Sequence, residues 1–422
     1  MTKNKYLFPF IMITSLFFMW GFVHNLDPIL IPHLQRSFSL NTLQATLVDT
    51  AVFIAYFVMA LPAGFIMKKY GYKAGIIFGL ALFALGSFLF IPAANTQAYV
   101  FFLGALFIIA CGLTILETAA NPYASLLGPK ETATFRLNFS QTFNGLAATL
   151  APIIGARIIL IKGISDEELA TMSESAQRAI LAAEASSVKT PYLVLGSIIL
   201  VIAVIFIFLK LPEITETETA GEKRGISHAL AHRHLRWAVA AQFFYVGAQV
   251  CVMSLFVLYA TKAAGITKVQ AADYQGYGIG LGFLSGRIIG TFLMKFIKPE
   301  RLLVIYAVIC VLLSASAMFS TGLAALFSVI GIAFFMSIMF PTIFSLGIKD
   351  LGADAKYGSS LIIMSIVGGA LLPPVMGYIS DVTHNIQIGY IVPLICFTVV
   401  LLFGLTGHKV ITLNKQNVRI NE

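Results

Sequence analysis

Three carboxylates, Glu117, Asp27 and Asp49, lie in stretches of sequence otherwise fit for hydrocarbon. An ionisable side chain inside a membrane costs about 2.5–3.5 kcal/mol even on the mildest scale, so such groups mark substrate or proton pathways. Glu117 is the strongest of the three. Thr114 stands three residues before it and Asn121 four after, so on a helix a polar stripe surrounds the acid. Pro122 removes the backbone donor that the carbonyl of Thr118 would otherwise receive, which suits a helix lining a polar cavity. A carboxylate held there takes up and releases a proton, and proton coupling is the chemistry expected of it.

Further polar groups surround the other two acids. In WGFVHNLDPILIP, Trp20, His24 and Asp27 recur at helical spacing on one face, and Pro28 breaks the helix so that Asn25 can turn inward. An aromatic, an amide and an acid beside unwound backbone would grip a sugar and a cation. Asp27 and Asp49 are equally distant from Phe38, so they are expected at matching depth, nearer the outside than Glu117. Neighbouring carboxylates disfavour joint ionisation, so an outer pair and a deeper acid make a proton route. Asn138, Gln141 and Asn144 at three-residue spacing, together with Gln242, Tyr245 and Gln249, both donate and accept, which suits a neutral polyhydroxylated ligand. Cys111, Cys251, Cys310 and Cys396 lie singly in apolar segments and read as small core residues. The glycines from Gly276 to Gly290 follow no strand, so they read as packing positions, not a nucleotide loop. No triad, metal cluster or phosphate loop stands out in the sequence, and an enzyme is not expected.

The elements that must position these groups follow from composition. The chain has 422 residues, 58% hydrophobic and only 11% charged, with mean hydropathy +0.89. Soluble domains carry about 25% charge, so this is an all-α polytopic membrane protein. Apolar runs of spanning length fall at about 7–33, 42–66, 74–93, 98–125, 136–161 and 190–211, then 234–261, 271–294, 302–320, 322–347, 357–379 and 387–407. That predicts twelve transmembrane helices in two six-helix halves, residues 1–211 and 234–422, joined by a polar linker at 212–233. Ser165–Val188 predicts a short interfacial helix, and the first apolar run has no cleavage site and reads as a span. The formal charge of +9 reflects loop lysines and arginines, not a nucleic-acid surface. Of the 28 basic residues, 20 fall on the side that holds both termini and the linker. Only Arg36, Lys162, Arg178, Lys189, Lys262 and Lys268 fall on the other, while Arg157 and Arg287 lie within spans. Both termini are therefore expected in the cytoplasm. Two halves of similar layout predict a site between them near the midplane.

The strings LETAANP (Leu116–Pro122), FRLNFSQTFN (Phe135–Asn144), RWAVAAQFFYVGAQ (Arg236–Gln249), PTIFSLGIK (Pro341–Lys349) and KYGSS (Lys356–Ser360) carry a family resemblance. The chain resembles, over nearly its whole length, the L-fucose–proton symporter family of the major facilitator superfamily, which also includes glucose/galactose transporters. The resemblance implies the major facilitator fold, proton coupling through Glu117, and a cavity that includes Asn25, Gln141 and Asn144. Three departures stand out. The span-one acid is Asp27, one position earlier than in those relatives. Met339-Phe340 stand where fucose-type members carry Gln-Tyr, so Phe340 enters the substrate-contact set without a hydrogen-bonding group. Lys68 stands where the superfamily pattern prefers Asp.

Together these observations predict a proton-coupled symporter of the inner (plasma) membrane, importing an L-fucose-like neutral monosaccharide as a monomer and without a cofactor. A glucose/galactose carrier, Na⁺-coupled in one version, is the alternative within transport. A non-transporting sugar sensor and an exporter of amphiphiles are alternatives of other classes. The short linker and tails disfavour the sensor, and the amide-rich stripes disfavour the exporter.

Overall fold

The computed structural model describes residues 6–26, 34, 37–38, 47–96, 98–159, 169, 171–212 and 225–410. Nine helical segments among them are long and apolar enough to cross a membrane. The second of these is two spans: Leu47–Thr96 is bent at Gly71, whose φ of 82° lies where only glycine is at ease. Ala133–Ile159 supplies span five, and span eight is built from Lys268–Asp273, Tyr274–Gly280 and Leu281–Leu293. With these two, and the bent helix counted twice, the twelve predicted spans are accounted for. The four cysteines are buried and free.

Between spans five and six, Glu174–Ser187 is helical, and the Ser173 hydroxyl accepts from the Ala176 amide at its N-terminus. It leads almost directly into span six, Lys189–Phe208. Spans one, Leu7–His24, and four, Tyr99–Leu126, pack within the first six, where Thr14 and Ser140 hydroxyls bond span one to span five at 2.9 Å.

Several later spans are interrupted. Span ten breaks between Gly322–Met336 and Met339–Gly347, and span eleven passes through a tighter turn at Ser365–Val367. Pro341 causes part of the first break, because it has no N–H to give the carbonyl of Ser337. Span eight bears directly on this region. A Cβ at Gly286 would lie 2.1 Å from the Phe334 carbonyl oxygen, so the glycine permits backbone-to-backbone contact.

Hydrogen bonds that join the first six spans to the last six gather towards one end. Asn138 Nδ2 donates to Thr342 Oγ1 at 3.3 Å, Thr134 and Ser345 hydroxyls meet at 2.9 Å, and Lys130 pairs with Asp350 at 3.0 Å. Lys68 stands over the Tyr357 ring at 5.2 Å, and Lys356 over the Tyr72 ring at 5.6 Å. The position where an acid was expected thus makes a cation–π contact, mirrored by a lysine from the opposite side.

Candidate functional site

From Ile109 to Ser125 every residue of span four is buried except Glu117, which keeps partial access to solvent. Tyr56 from span two donates its hydroxyl to Glu117 Oε1 at 2.8 Å. Sequence reasoning passed over Tyr56, because a tyrosine in an apolar run looks like a packing or interface residue. Around the acid the stripe closes on itself. Thr114 donates to the Ala110 carbonyl and Thr118 to that of Thr114, at 2.8 and 2.6 Å. Asn121 Oδ1 accepts from Gln141 Nε2 of span five at 3.2 Å.

Two prolines free carbonyls that side chains from other spans then satisfy. Pro122 frees the carbonyl of Thr118, and Ser359 of span eleven donates its hydroxyl to that oxygen at 2.6 Å. Pro341 does the same to Ser337, and there the donor is Arg287 of span eight. Its Nε reaches Ser337 O at 2.9 Å, while Nη1 donates to Gln141 O, also at 2.9 Å. The guanidinium is buried, lies 4.6 Å from the Phe283 ring centre, and is close enough to Tyr245 to interact electrostatically. Arg287 thereby ties spans five, eight and ten at one point. The sequence shows a charge within a span but nothing of its partners, so no role was predicted for it.

The structure gathers some of the predicted site residues and scatters others. Glu117, Asn121 and Gln141 form one connected group. Asn144 lies against Gly21 of span one, where an added Cβ would sit 2.7 Å from its Nδ2. Asn25 caps the end of span one, donating to its own Gly21 carbonyl at 2.7 Å. Trp20 is buried with its ring 4.2 Å from that of Phe17. His24 lines a small pocket with Val52, Leu106, Ile109, Leu113 and Tyr192, among the spans of the first six. Asp27 lies outside the described residues. Asp49 is on the span-two helix, and its side chain lies outside what the structure describes.

On the other side, Gln242 and Tyr245 of span seven are fully buried, and among the described residues neither the nitrogen nor the oxygen of the Gln242 amide has a hydrogen-bond partner. Leaving such groups unpaired costs about 1–3 kcal/mol each, an expense usually tied to function. Phe340 packs against Tyr245 with ring centres 6.4 Å apart, and Gln249 is partly exposed. Arg136, within the FRLNFSQTFN string, belongs to the scaffold. It donates to the carbonyls of Ala124, Ser125 and Pro129, closing the open end of span four.

The comparisons with known proteins agree with this geometry. Residues 10–360 match the Major Facilitator Superfamily. The L-fucose-proton symporter of Escherichia coli (strain K12) is 43% identical over 410 residues, covering 95% of this chain and 93% of that protein. The glucose/galactose transporter of Brucella abortus (strain 2308) is 40% identical over 410 residues, covering 97% and 96%. The chain is also similar to the crystal structure of a Major Facilitator Superfamily transporter, FucP, in the outward conformation. That likeness has a TM-score of 0.89 at 42% identity, over 95% of this chain and 99% of that one. A family match over most of the length, relatives of this identity and a shared twelve-span fold lead to one conclusion: the chain belongs to the Major Facilitator Superfamily, and is a multi-pass membrane transporter and not an enzyme.

Proposed function

We propose that this protein is a proton-coupled symporter that imports a neutral, L-fucose-like monosaccharide by alternating access. The observation that carries the reading is Glu117. It is the partly exposed residue of an otherwise buried helix segment, held by the Tyr56 hydroxyl and one helical turn from Asn121, which pairs with Gln141. The relatives' names support the substrate class. The moving bodies are residues 1–211 and 234–422, with the linker at 212–233, and the monomer is the working unit. Asp27 and Asp49 are assigned to the outer part of the proton route on the sequence argument alone, with the outer sugar contacts falling to Trp20, His24 and Asn25. Amides at Asn121, Gln141, Asn144, Gln242 and Gln249 and the Tyr245 phenol supply the remaining polar contacts, with Phe340 as an apolar wall.

The joined end is assigned to the cytoplasm of an inner (plasma) membrane protein with both termini inside. It carries Lys68, Lys130 and Lys356, which belong to the basic side of the charge bias. In this state the transporter is closed inward, and protonation of Glu117 with sugar bound lowers the cost of occluding the carboxylate.

One observation favours a second sugar. Met339 is buried and Phe340 packs on Tyr245, where fucose-type members have hydrogen-bonding side chains. A glucose or galactose substrate is the reading this favours. Counterflow in proteoliposomes against a panel of radiolabelled monosaccharides separates the two. Saturable exchange of L-fucose or of glucose and galactose decides the substrate, and exchange of none of them rejects the proposal.

Closure of the inner end gives a further test. A Cβ at Gly64 of span two would sit 2.3 Å from Ser360 Oγ and 3.4 Å from the Lys356 carbonyl oxygen. Overpacking of this kind costs about 1–3 kcal/mol, enough to shift a balanced two-state equilibrium by roughly fivefold to a hundredfold. Gly64→Leu is expected to lower counterflow by a factor in that range while sugar binding in detergent persists. Parental counterflow would show that this contact is not made during turnover.

A further inference from the structure

Away from the cavity, at the end where the two sets of spans meet, three ligand-type side chains converge. His228 lies on the short helix Ile226–Ala231 and His232 caps its C-terminus. Asp354 ends the turn Gly352–Asp354 that leads from span ten into span eleven. His228 Nδ1 lies 2.7 Å and His232 Nε2 3.2 Å from the same oxygen, Asp354 Oδ2. All three ligand atoms fall within 4.8 Å of one another. The other oxygen, Asp354 Oδ1, is buried and has no hydrogen-bond partner among the described residues, and the aspartate as a whole is 0% exposed. His234 stands beside His232, but its Nε2 is taken up by the Lys349 carbonyl at 3.0 Å.

We propose that His228, His232 and Asp354 form a binding site for a divalent transition metal of the zinc class, clamping the helix that precedes span seven to the turn between spans ten and eleven. Two imidazoles and one carboxylate suit Zn²⁺, Ni²⁺ or Co²⁺ better than Mg²⁺ or Ca²⁺, which favour all-oxygen shells. Ligand bonds of about 2.0–2.2 Å set tetrahedral ligand atoms roughly 3.3–3.6 Å apart, so His232, at 3.2 Å from Asp354 Oδ2, is close to that spacing, while His228, at 2.7 Å, must draw back by somewhat under 1 Å, a side-chain adjustment. On binding, each neutral imidazole carries its proton on the nitrogen facing away from the ion, so that the nearer nitrogen offers a lone pair. The ion also compensates a buried carboxylate of which both ring contacts reach the same oxygen, Asp354 Oδ2. The open fourth position takes water. Asp350, partner of Lys130 across the joined end, lies four residues before Asp354 in the same connection, so a metal here would brace one side of that contact.

The test uses the full-length protein purified without a polyhistidine tag, stripped of metal and titrated with Co²⁺. One saturable equivalent with the visible absorption of nitrogen-ligated cobalt, displaced by Zn²⁺ and accompanied by a raised melting temperature, is expected. His228→Gln is the primary variant because that side chain is 46% exposed, so replacing it removes a ligand atom with little loss of packing. It should weaken cobalt binding by at least about tenfold and abolish the thermal shift, and His232→Gln should do the same. A titration without a saturable signal, or one unchanged in both variants, overturns the proposal. None of these readouts depends on sugar transport, so the outcome is independent of the function proposed above.

Discussion

A Glu117→Gln transporter should exchange sugar across the membrane and fail to concentrate it. Glutamine reproduces the shape of the protonated carboxyl, and its side-chain carbonyl can still accept from the Tyr56 hydroxyl that now lies 2.8 Å from Oε1. The Asn121–Gln141 pair and the Ser359 contact to Thr118 are made by other atoms, so both are retained. What disappears is a group that changes charge inside the membrane. With no proton bound and released per cycle, the proton gradient cannot be linked to sugar movement, and the accumulation ratio should fall to about one. Counterflow should persist and lose its dependence on pH. Accumulation against a gradient with unchanged proton movement would remove Glu117 from the coupling role and move it to the outer acids.

How far the sequence alone carries the reader differs from residue to residue. Pro122 and Pro341 can be read directly as places where a carbonyl is freed. Their partners cannot, because Ser359 is 241 residues from Thr118 and Arg287 is 50 from Ser337. Length, apolarity and the charge bias were enough for twelve spans, since a bilayer imposes those properties on each segment separately. The amide stripe of span five was legible as polar but not as three different contacts. Steps of three residues drift by about 60° around a helix. Asn138 therefore meets Thr342 of span ten, Gln141 meets Asn121 of span four, and Asn144 meets Gly21 of span one. Lys68 illustrates the same limit. Sequence showed that an acid was missing from the loop, but its aromatic partner Tyr357 comes from span eleven.

Arg287 should prove as sensitive as the acid, and lysine should not replace it. Its guanidinium gives one donor to the Ser337 carbonyl, which Pro341 leaves without a backbone partner, and another to Gln141 O, both at 2.9 Å. Those bonds hold spans five, eight and ten together close to the Asn121–Gln141 pair. Hydrogen bonds to a charged group are worth about 1.5–3 kcal/mol each, and a buried carbonyl left unsatisfied adds its own penalty. Lysine keeps the charge but offers it from a single point on a flexible stem, so it cannot serve two carbonyls in the fixed geometry of the planar fork. Arg287→Lys and Arg287→Gln are both expected to lower counterflow by at least about tenfold and to lower the melting temperature, Gln more than Lys. If positive charge alone mattered, Arg287→Lys would behave like the parent in both measurements, and that result would reject the tie. A loss of transport in Arg287→Lys with unchanged melting would instead locate the requirement in the moving contact between spans five and eight, which must break and re-form as the two sets of spans rock.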